Sequence, residues 1–347
     1  MKIGILLVNL GTPKSPSVRD VRRYLDEFLM DGRVIDIKPV PRNLLVRGII
    51  VPFRAPKSAK IYQKVWTDAG SPLLIYGERV KTLLQEQLGE HYQVALGMRY
   101  QQPSIKNALE ELRAAQVNSI MVLPLFPQYA SATTGSVHQK VMDEVRSWQT
   151  IPELHFVSSF HDHPGMIGLF AENARKHQVD QYDHVLFSFH GLPKRQLLKA
   201  DLTGSCCLKT GDCCQSLREE NRYCYSAQCF DTARLIAAEL NLTEENYSVC
   251  FQSRLGKDPW IEPYTSDVIQ DLAAKQKKRI LVLSPAFVAD CLETIYEIAQ
   301  EYQEEFQAAG GEKVQLVESL NDHPRWIQVL KDIIHQYEPM NNTQPVK

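Results

Sequence analysis

Several side chains in this 347-residue chain combine residue type and spacing in ways that could do chemistry. His190 closes the apolar run HVLFSFHGLP, directly before Gly191 and Pro193. An imidazole at the carboxyl tip of a parallel strand stands where ligand sites form, and it suits proton transfer or metal ligation. On position alone a loop-capping role weighs equally. The run CLETIYEIAQEY sets Glu293, Glu297 and Glu301 four residues apart. On a helix they share one face, and underwinding into a π-bulge would align them further. Such a ladder of oxygens could pass along a hard divalent cation; a solvated helix face is the plainer reading of a Glu repeat taken alone. Six of the eight cysteines fall in residues 206–229, with Cys206, Cys207, Cys213 and Cys214 inside nine residues. Crowded thiolates suit an iron–sulfur cluster or zinc, and the spacing does not choose between them. Arg99 and Tyr100 follow a strand, and Arg254 takes the matching place further on. An Arg there holds a substrate carboxylate or pairs with an internal Asp. His163 and His323 sit in repeated Asp-His-Pro turns, where a structural role is expected.

The elements that must position these groups are βα units. Buried strands read Ile3–Val8, Val94–Met98, Ile120–Leu125 and Leu154–Ser158, then Val185–Phe189, Ser248–Gln252, Ile280–Leu283 and Val314–Val317. Helical segments such as Arg79–Leu88, Ile105–Ala114 and Ala233–Leu240 lie between them, the alternation of a parallel sheet with helical crossovers. The two strand sets match in order. LLVNLGTP parallels LFSFHGLP, IMVLPLFP parallels ILVLSPAF, and FVSSFHDHPGMI parallels LVESLNDHPRWI. This predicts two similar α/β halves, residues 1–150 and 151–323. The second carries the cysteine-rich insert 203–229, and a last helix at about 324–337 packs back across the first. No Gly-rich phosphate-binding fingerprint follows any strand.

Composition excludes several classes. Hydrophobic residues at 44% and charged residues at 23% are those of a globular protein, not a disordered or coiled-coil chain. With 39 basic and 41 acidic residues, net charge −2, there is no basic excess for nucleic acid. The start MKIGILLVNLGTP is too short an apolar run for a secretory signal, so the expected location is the cytoplasm. Residues 42–60 combine Leu44, Leu45, Ile49 and Phe53 with Arg42, Arg47, Arg54, Lys57 and Lys60. This amphipathic stretch offers a peripheral membrane contact or an apolar lip, set against an ordinary packed helix. No heptad or interface stripe decides the oligomeric state.

The stretches GILLVNLGTP, RYLDEFLMDGRVID, VWTDAGSPL, LGMRY, VLPLFPQYASATTGSV, FSFHGLP, FQSRLGKDPWIEPYT and PAFVADCLETIYEI together resemble the ferrochelatase family, in order from about residue 3 to residue 335. The resemblance implies two Rossmann-like domains of the class II chelatase type with the active-site cleft between them. It implies insertion of ferrous iron into protoporphyrin IX, giving protohaem and two protons, the last step of haem biosynthesis. The family's active-site His falls on His190, its essential Glu on Glu293, its further π-helix acids on Glu297 and Glu301, and its porphyrin-pocket Arg-Tyr on Arg99 and Tyr100. His190 and Glu293 are thereby expected to meet the iron substrate, with Glu297 and Glu301 as an iron or proton path. A chelatase for another tetrapyrrole and a two-lobed haem carrier stand as alternatives. The departure lies between Pro193 and Cys229, where the chain reads GDCC and then extra residues. That resembles a bacterial subset whose internal cysteines bind a 2Fe–2S cluster, with structural zinc or no metal as the alternatives. The tail YEPMNNTQPVK has no Cys. The ligands implied are Cys206, Cys207, Cys213 and Cys214, with Cys224 as a substitute; Cys229 matches a residue of relatives without the insert.

Overall fold

The computed structural model describes residues 2–209, 211–254, 256 and 258–337. The polypeptide runs β1 (Ile3–Gly11), α1 (Val18–Leu29), α2 (Pro39–Leu45), α3 (Val51–Val65), α4 (Pro72–Leu88), β2 (Tyr92–Tyr100), α5 (Ile105–Ala114), β3 (Ser119–Pro124), α6 (Ser136–Val145) and β4 (Glu153–Phe156). It continues through α7 (Pro164–Lys176), β5 (His184–His190), α8 (Lys194–Ala200), α9 (Tyr225–Glu239), β6 (Tyr247–Gln252), α10 (Thr265–Ala274), β7 (Arg279–Leu283), α11 (Gln303–Ala308), β8 (Lys313–Leu316) and α12 (Pro324–Tyr337). Three π-helical stretches, Val46–Ile50, Ser131–Gly135 and Glu293–Tyr302, interrupt this series.

All eight expected strands form, and they pair in parallel in two four-stranded sheets of one topology, β2-β1-β3-β4 and β6-β5-β7-β8. Helices cover both faces, so the central strands read as unbroken apolar runs: Ile5, Leu6, Leu7 and Val8 are fully buried, as are Leu186, Phe187 and Phe189. The repeat extends to the turns. A Cβ on Gly11, whose φ is +119°, would strike the carbonyl of Tyr100, and a Cβ on Gly191 would lie 2.8 Å from the carbonyl of Gln252. Only glycine lets each central strand leave its sheet so close to its neighbour.

The first sheet takes its edge strand from residues 153–156, paired with β3 through Ile120–Leu154 and Val122–Phe156. The passage between halves therefore lies beyond Phe156, not at residue 150, because a boundary at 150 would strip that strand from its sheet. One apolar core continues from Ile5 and Leu7 to Phe187 and Phe189, with Trp326 and Leu330 of α12 within it. Just before α12, Asp322 Oδ2 lies 3.1 Å from Arg79 Nη1 of α4, and on α12 Lys331 Nζ donates to the Gln87 carbonyl at 3.4 Å. His163 and His323 lead into α7 and α12, their carbonyls accepting from Ile167 and Ile327. Among the described residues no helix is long and apolar enough to cross a membrane.

Candidate active site and the cysteine-rich segment

His190 is the last residue of β5, and the chain beyond it is fastened on both sides. Gly191 N–H donates to the Gln252 carbonyl at 2.8 Å, and Ile261 N–H to the Leu192 carbonyl at 2.9 Å. His190 Nδ1 lies 2.7 Å from the Gly191 carbonyl oxygen, so Nδ1 carries the proton and the lone pair belongs to Nε2. The Trp260 ring stands 6.4 Å from the imidazole, and its buried Nε1 has no hydrogen-bond partner among the described residues.

The acidic ladder lies on a π-helix, as the spacing suggested: residues 293–302 wind i→i+5. In an α-helix, residues four apart are turned roughly 40° past one another, and wider winding removes most of that offset. Glu297 is the anchored member. Its Oε2 accepts from Gln252 Nε2 at 3.0 Å and Ser253 Oγ at 2.6 Å, and its Oε1 from Tyr302 Oη at 3.0 Å. Gln252 is fully buried, pairs with His190 across the sheet, and accepts from Ser188 Oγ at 2.7 Å. One amide therefore joins the His190 strand to the acidic helix. Glu293 begins the π-helix beside Tyr24 and Tyr62 of the first half; burial pushes both phenols up, and the Glu293 carboxylate adds to the rise. Leu292, Ile295 and Tyr296 pack on the cluster holding Val21, Tyr24 and Val65, so the ladder bridges the two halves. Partial burial, then Glu297, Glu305 and Glu304, push the Glu301 carboxyl above its ordinary value.

Arg99 and Tyr100 turn their polar groups inward. Asp31 Oδ2 accepts from Arg99 Nη2 at 2.6 Å, Tyr100 Oη at 2.9 Å and Ser136 Oγ at 2.5 Å, while Asp31 Oδ1 accepts from Arg33 N–H at 2.7 Å. Tyr100 is wholly buried, edge-on to Phe28. Burial alone would raise the Asp31 carboxyl, but Ser136, the Arg33 amide, Arg99 and Tyr100 hold it below its ordinary value. The loop after Asp31 then crosses to the second half, where Arg195 and Lys199 of α8 hold Asp36 and Gln196 Nε2 donates to the Val34 carbonyl at 3.2 Å. Arg254, the counterpart of Arg99, is exposed, its guanidinium 4.5 Å from the Tyr264 ring centre.

The cysteine-rich segment folds against α8 and the start of α9. All eight cysteines are free thiols. A cavity of about 150 Å³ is lined by Cys206, Cys207, Cys213 and Cys224 together with Asp201. Asp201 Oδ2 accepts from the Cys206 and Cys207 amides at 3.1 and 2.8 Å, and these with Thr203 lower its carboxyl to about 2. Cys214 Sγ lies 3.8 Å from Cys213 Sγ and 3.3 Å from Ser226 Oγ, outside the cavity lining. Burial and the neighbouring thiols raise Cys207 to about 11. Cys229 is fully buried one helical turn further on. Among the described residues no three His, Cys, Asp or Glu side chains converge tightly enough to hold a single ion. Four thiols nonetheless line the one cavity. The tail beyond Tyr337 lies outside the described residues.

Sequence reasoning missed Gln252, Ser253, Tyr302, Asp31 and Tyr225. The first two stand in the motif FQSRLGKDP, immediately after a strand, and that position was their only signal.

Two like α/β halves, with a histidine at one central strand end and an acidic π-helix bridging to the other half, define a two-lobed protein of the SirB fold. SirB from Bacillus subtilis, solved with Fe3+, matches with a TM-score of 0.54 over 97% of this chain and 96% of its own, at 12% identity. The ferrochelatase family model matches residues 2–338. The ferrochelatase of Coxiella burnetii (strain Dugway 5J108-111) is 46% identical over 333 residues, 95% of this chain and 92% of that protein. That of Legionella pneumophila (strain Lens) is 44% identical over 336 residues, 97% and 99% of the two chains. The chain belongs to the ferrochelatase family and inserts ferrous iron into protoporphyrin, the last step of haem biosynthesis. Membership sets aside the carrier alternative, since the family is one of metal-inserting lyases.

Proposed function

We propose that His190 and Glu293 carry the insertion chemistry, and that Glu297 and Glu301 form the path by which iron arrives or protons leave. The observation that carries this reading is the Gln252 bridge, which ties Glu297 to the strand ending in His190. Porphyrin metallation exchanges two pyrrole N–H protons for one Fe2+. A base is needed for each proton, and oxygen or nitrogen ligands must shed the iron's water. His190 Nε2, with its lone pair left open by the Nδ1–H bond to Gly191, is suited to accept a pyrrole proton or hold iron briefly. The Glu293 carboxylate stands at the first turn of the π-helix and suits the complementary task, with Glu297 and Glu301 behind it. Arg99 and Tyr100 act in this reading as the internal clamp that holds the Asp31 loop, and the exposed Arg254 is the arginine suited to meet a substrate propionate.

The cysteine-rich segment is assigned a 2Fe–2S cluster, held by Cys206, Cys207, Cys213 and either Cys214 or Cys224. The cavity lining favours Cys224 as the fourth. A bound cluster supplies one-electron redox chemistry and a covalent staple across the segment. The stretch 42–60 is assigned a peripheral membrane contact for a protein in the cytoplasm. Leu44, Ile49 and Phe53 are each more than half exposed, with the exposed Arg47, Arg54 and Lys57 beside them.

The test of the insertion chemistry is anaerobic. Ferrous iron is added to purified protein with protoporphyrin IX, and loss of the free-porphyrin bands is followed for the wild type and Glu293→Gln. The variant is expected to bind porphyrin with unchanged affinity and to lose at least about a hundredfold in insertion rate. Insertion by the variant at the wild-type rate would remove Glu293 from the chemistry.

A further inference from the structure

The cysteine-rich segment touches the rest of the molecule through the residues on either side of Cys224. Cys224 precedes the first residue of α9 and lines the thiol cavity. Its amide donates to the Asn221 carbonyl at 2.7 Å, and Asn221 Nδ2 in turn donates to the carbonyls of Cys213 and Ser216 at 2.8 and 2.9 Å. With the Cys214–Ser226 contact, residues 213 to 226 form one knot whose shape sets the first turn of α9. Any change at the thiols must therefore be felt at residues 223–226.

Two of those residues reach opposite sides of the molecule. The Tyr223 ring meets the Tyr129 ring of the first half edge-on, centres 5.6 Å apart. Tyr225 is buried, and its hydroxyl donates to the His190 carbonyl oxygen at 2.8 Å. That carbonyl stands where the sheet has run out of partners on one side, since β7 pairs with β5 only as far as Phe187. Water does not reach this buried position readily, so the Tyr225 hydroxyl fixes the peptide from which the imidazole hangs. The ring itself is held by the next peptide, through Nδ1 and the Gly191 carbonyl.

We propose that Tyr225 is a positioning residue through which the cysteine-rich segment sets the orientation of His190. The inference rests on the reading of His190 as the reacting imidazole and of the segment as a thiolate-held centre. Order in the segment holds α9's first turn, Tyr225 holds the His190 peptide, and the Nε2 lone pair keeps its aim. Coupling in binding free energy is reciprocal: where order in the segment favours porphyrin binding, bound porphyrin favours that order by the same factor.

The test uses the protein as isolated, with a short pulse of iodoacetamide and mass-spectrometric counting of label on Cys206, Cys207, Cys213, Cys214 and Cys224. Protoporphyrin IX without iron is expected to slow labelling about fivefold in the wild type and to leave labelling unchanged in Tyr225→Phe. The variant keeps its ring, binds porphyrin with the wild-type Kd, and loses about tenfold in kcat with little change in KM. Equal protection in Tyr225→Phe would mean that porphyrin shields the thiols directly, and no protection in the wild type would mean that no coupling exists; either overturns the proposal. Should the variant not fold, the reciprocal measurement decides. Wild-type protein with alkylated thiols is expected to bind protoporphyrin about fivefold more weakly, and unchanged binding overturns the proposal. Because labelling needs no turnover, it is independent of whether His190→Ala still inserts iron, so failure of the insertion reading shows separately.

Discussion

Replacing Asp31 by asparagine separates an internal clamp from a substrate hand at Arg99. In the wild type one carboxylate receives Arg99, Tyr100, Ser136 and the Arg33 amide, with the Asp31 and Arg99 side chains only 8% and 15% exposed. The introduced carboxamide could still accept from the Arg33 amide, but its NH2 would face three donors. Removing one member of a buried ion pair costs about 3–5 kcal/mol, and the slight exposure here favours the lower end. With about 2 cal/mol/K of unfolding entropy per residue over 347 residues, a loss of about 3 kcal/mol lowers Tm by about 4 °C. The effect depends on pH in a defined sense. The Asp31 carboxyl lies below its ordinary value in the folded chain, so its stabilisation is complete above the unfolded value near ~3.9 and is lost as pH falls through the lower folded value. The gap between wild type and Asp31→Asn should therefore be constant from neutral pH to about pH 5 and close in stronger acid. Thermal unfolding by circular dichroism at several pH values measures it, alongside porphyrin KM. An unchanged Tm with a KM raised tenfold or so would refute the clamp and return Arg99 to the substrate.

Three further outcomes follow from the same geometry. Tyr302→Phe removes one of three donors to the Glu297 carboxylate at a buried position, and iron insertion should fall about tenfold or more while porphyrin affinity holds; equal rates would detach Glu297 from the path. Cys206→Ser should lose the broad iron–sulfur absorption and the bound iron of the wild type, and Cys229→Ser should keep both; a colourless wild type carrying zinc would overturn the cluster assignment. The pair Leu44→Ser with Phe53→Ser should weaken co-sedimentation with anionic vesicles at least about tenfold, and undiminished binding would place the membrane contact elsewhere.

What could be read from the sequence was whatever a local period or a repeat encodes. The eight strands announce themselves because parallel strands covered on both faces are apolar without interruption, and Asp162-His163-Pro164 against Asp322-His323-Pro324 fixes the repeat. The four-residue interval of Glu293, Glu297 and Glu301 carried a shared helix face, the family resemblance its π winding, and the strand end carried His190. The edge strand was read among the first four as Leu154–Ser158, and it forms as Glu153–Phe156, short and partly exposed, three residues past the boundary drawn at 150. Partners were not legible at all. Asp31 meets Arg99 across 68 positions and Ser136 across 105, and Tyr225 meets His190 across 35. An Arg after a strand carries no mark of whether it faces a ligand or its own chain. Likewise Gln252 and Ser253 are ordinary polar residues until the sheet sets them opposite Glu297.

The most direct measurement of the central claim is iron insertion by His190→Ala with and without added imidazole, under anaerobic conditions at saturating protoporphyrin IX. The variant is expected to bind porphyrin within about fivefold of the wild type, to lose at least about a hundredfold in insertion, and to regain part of it as imidazole fills the space left by the side chain. A variant that inserts iron within about threefold of the wild type would contradict a chemical role for Nε2.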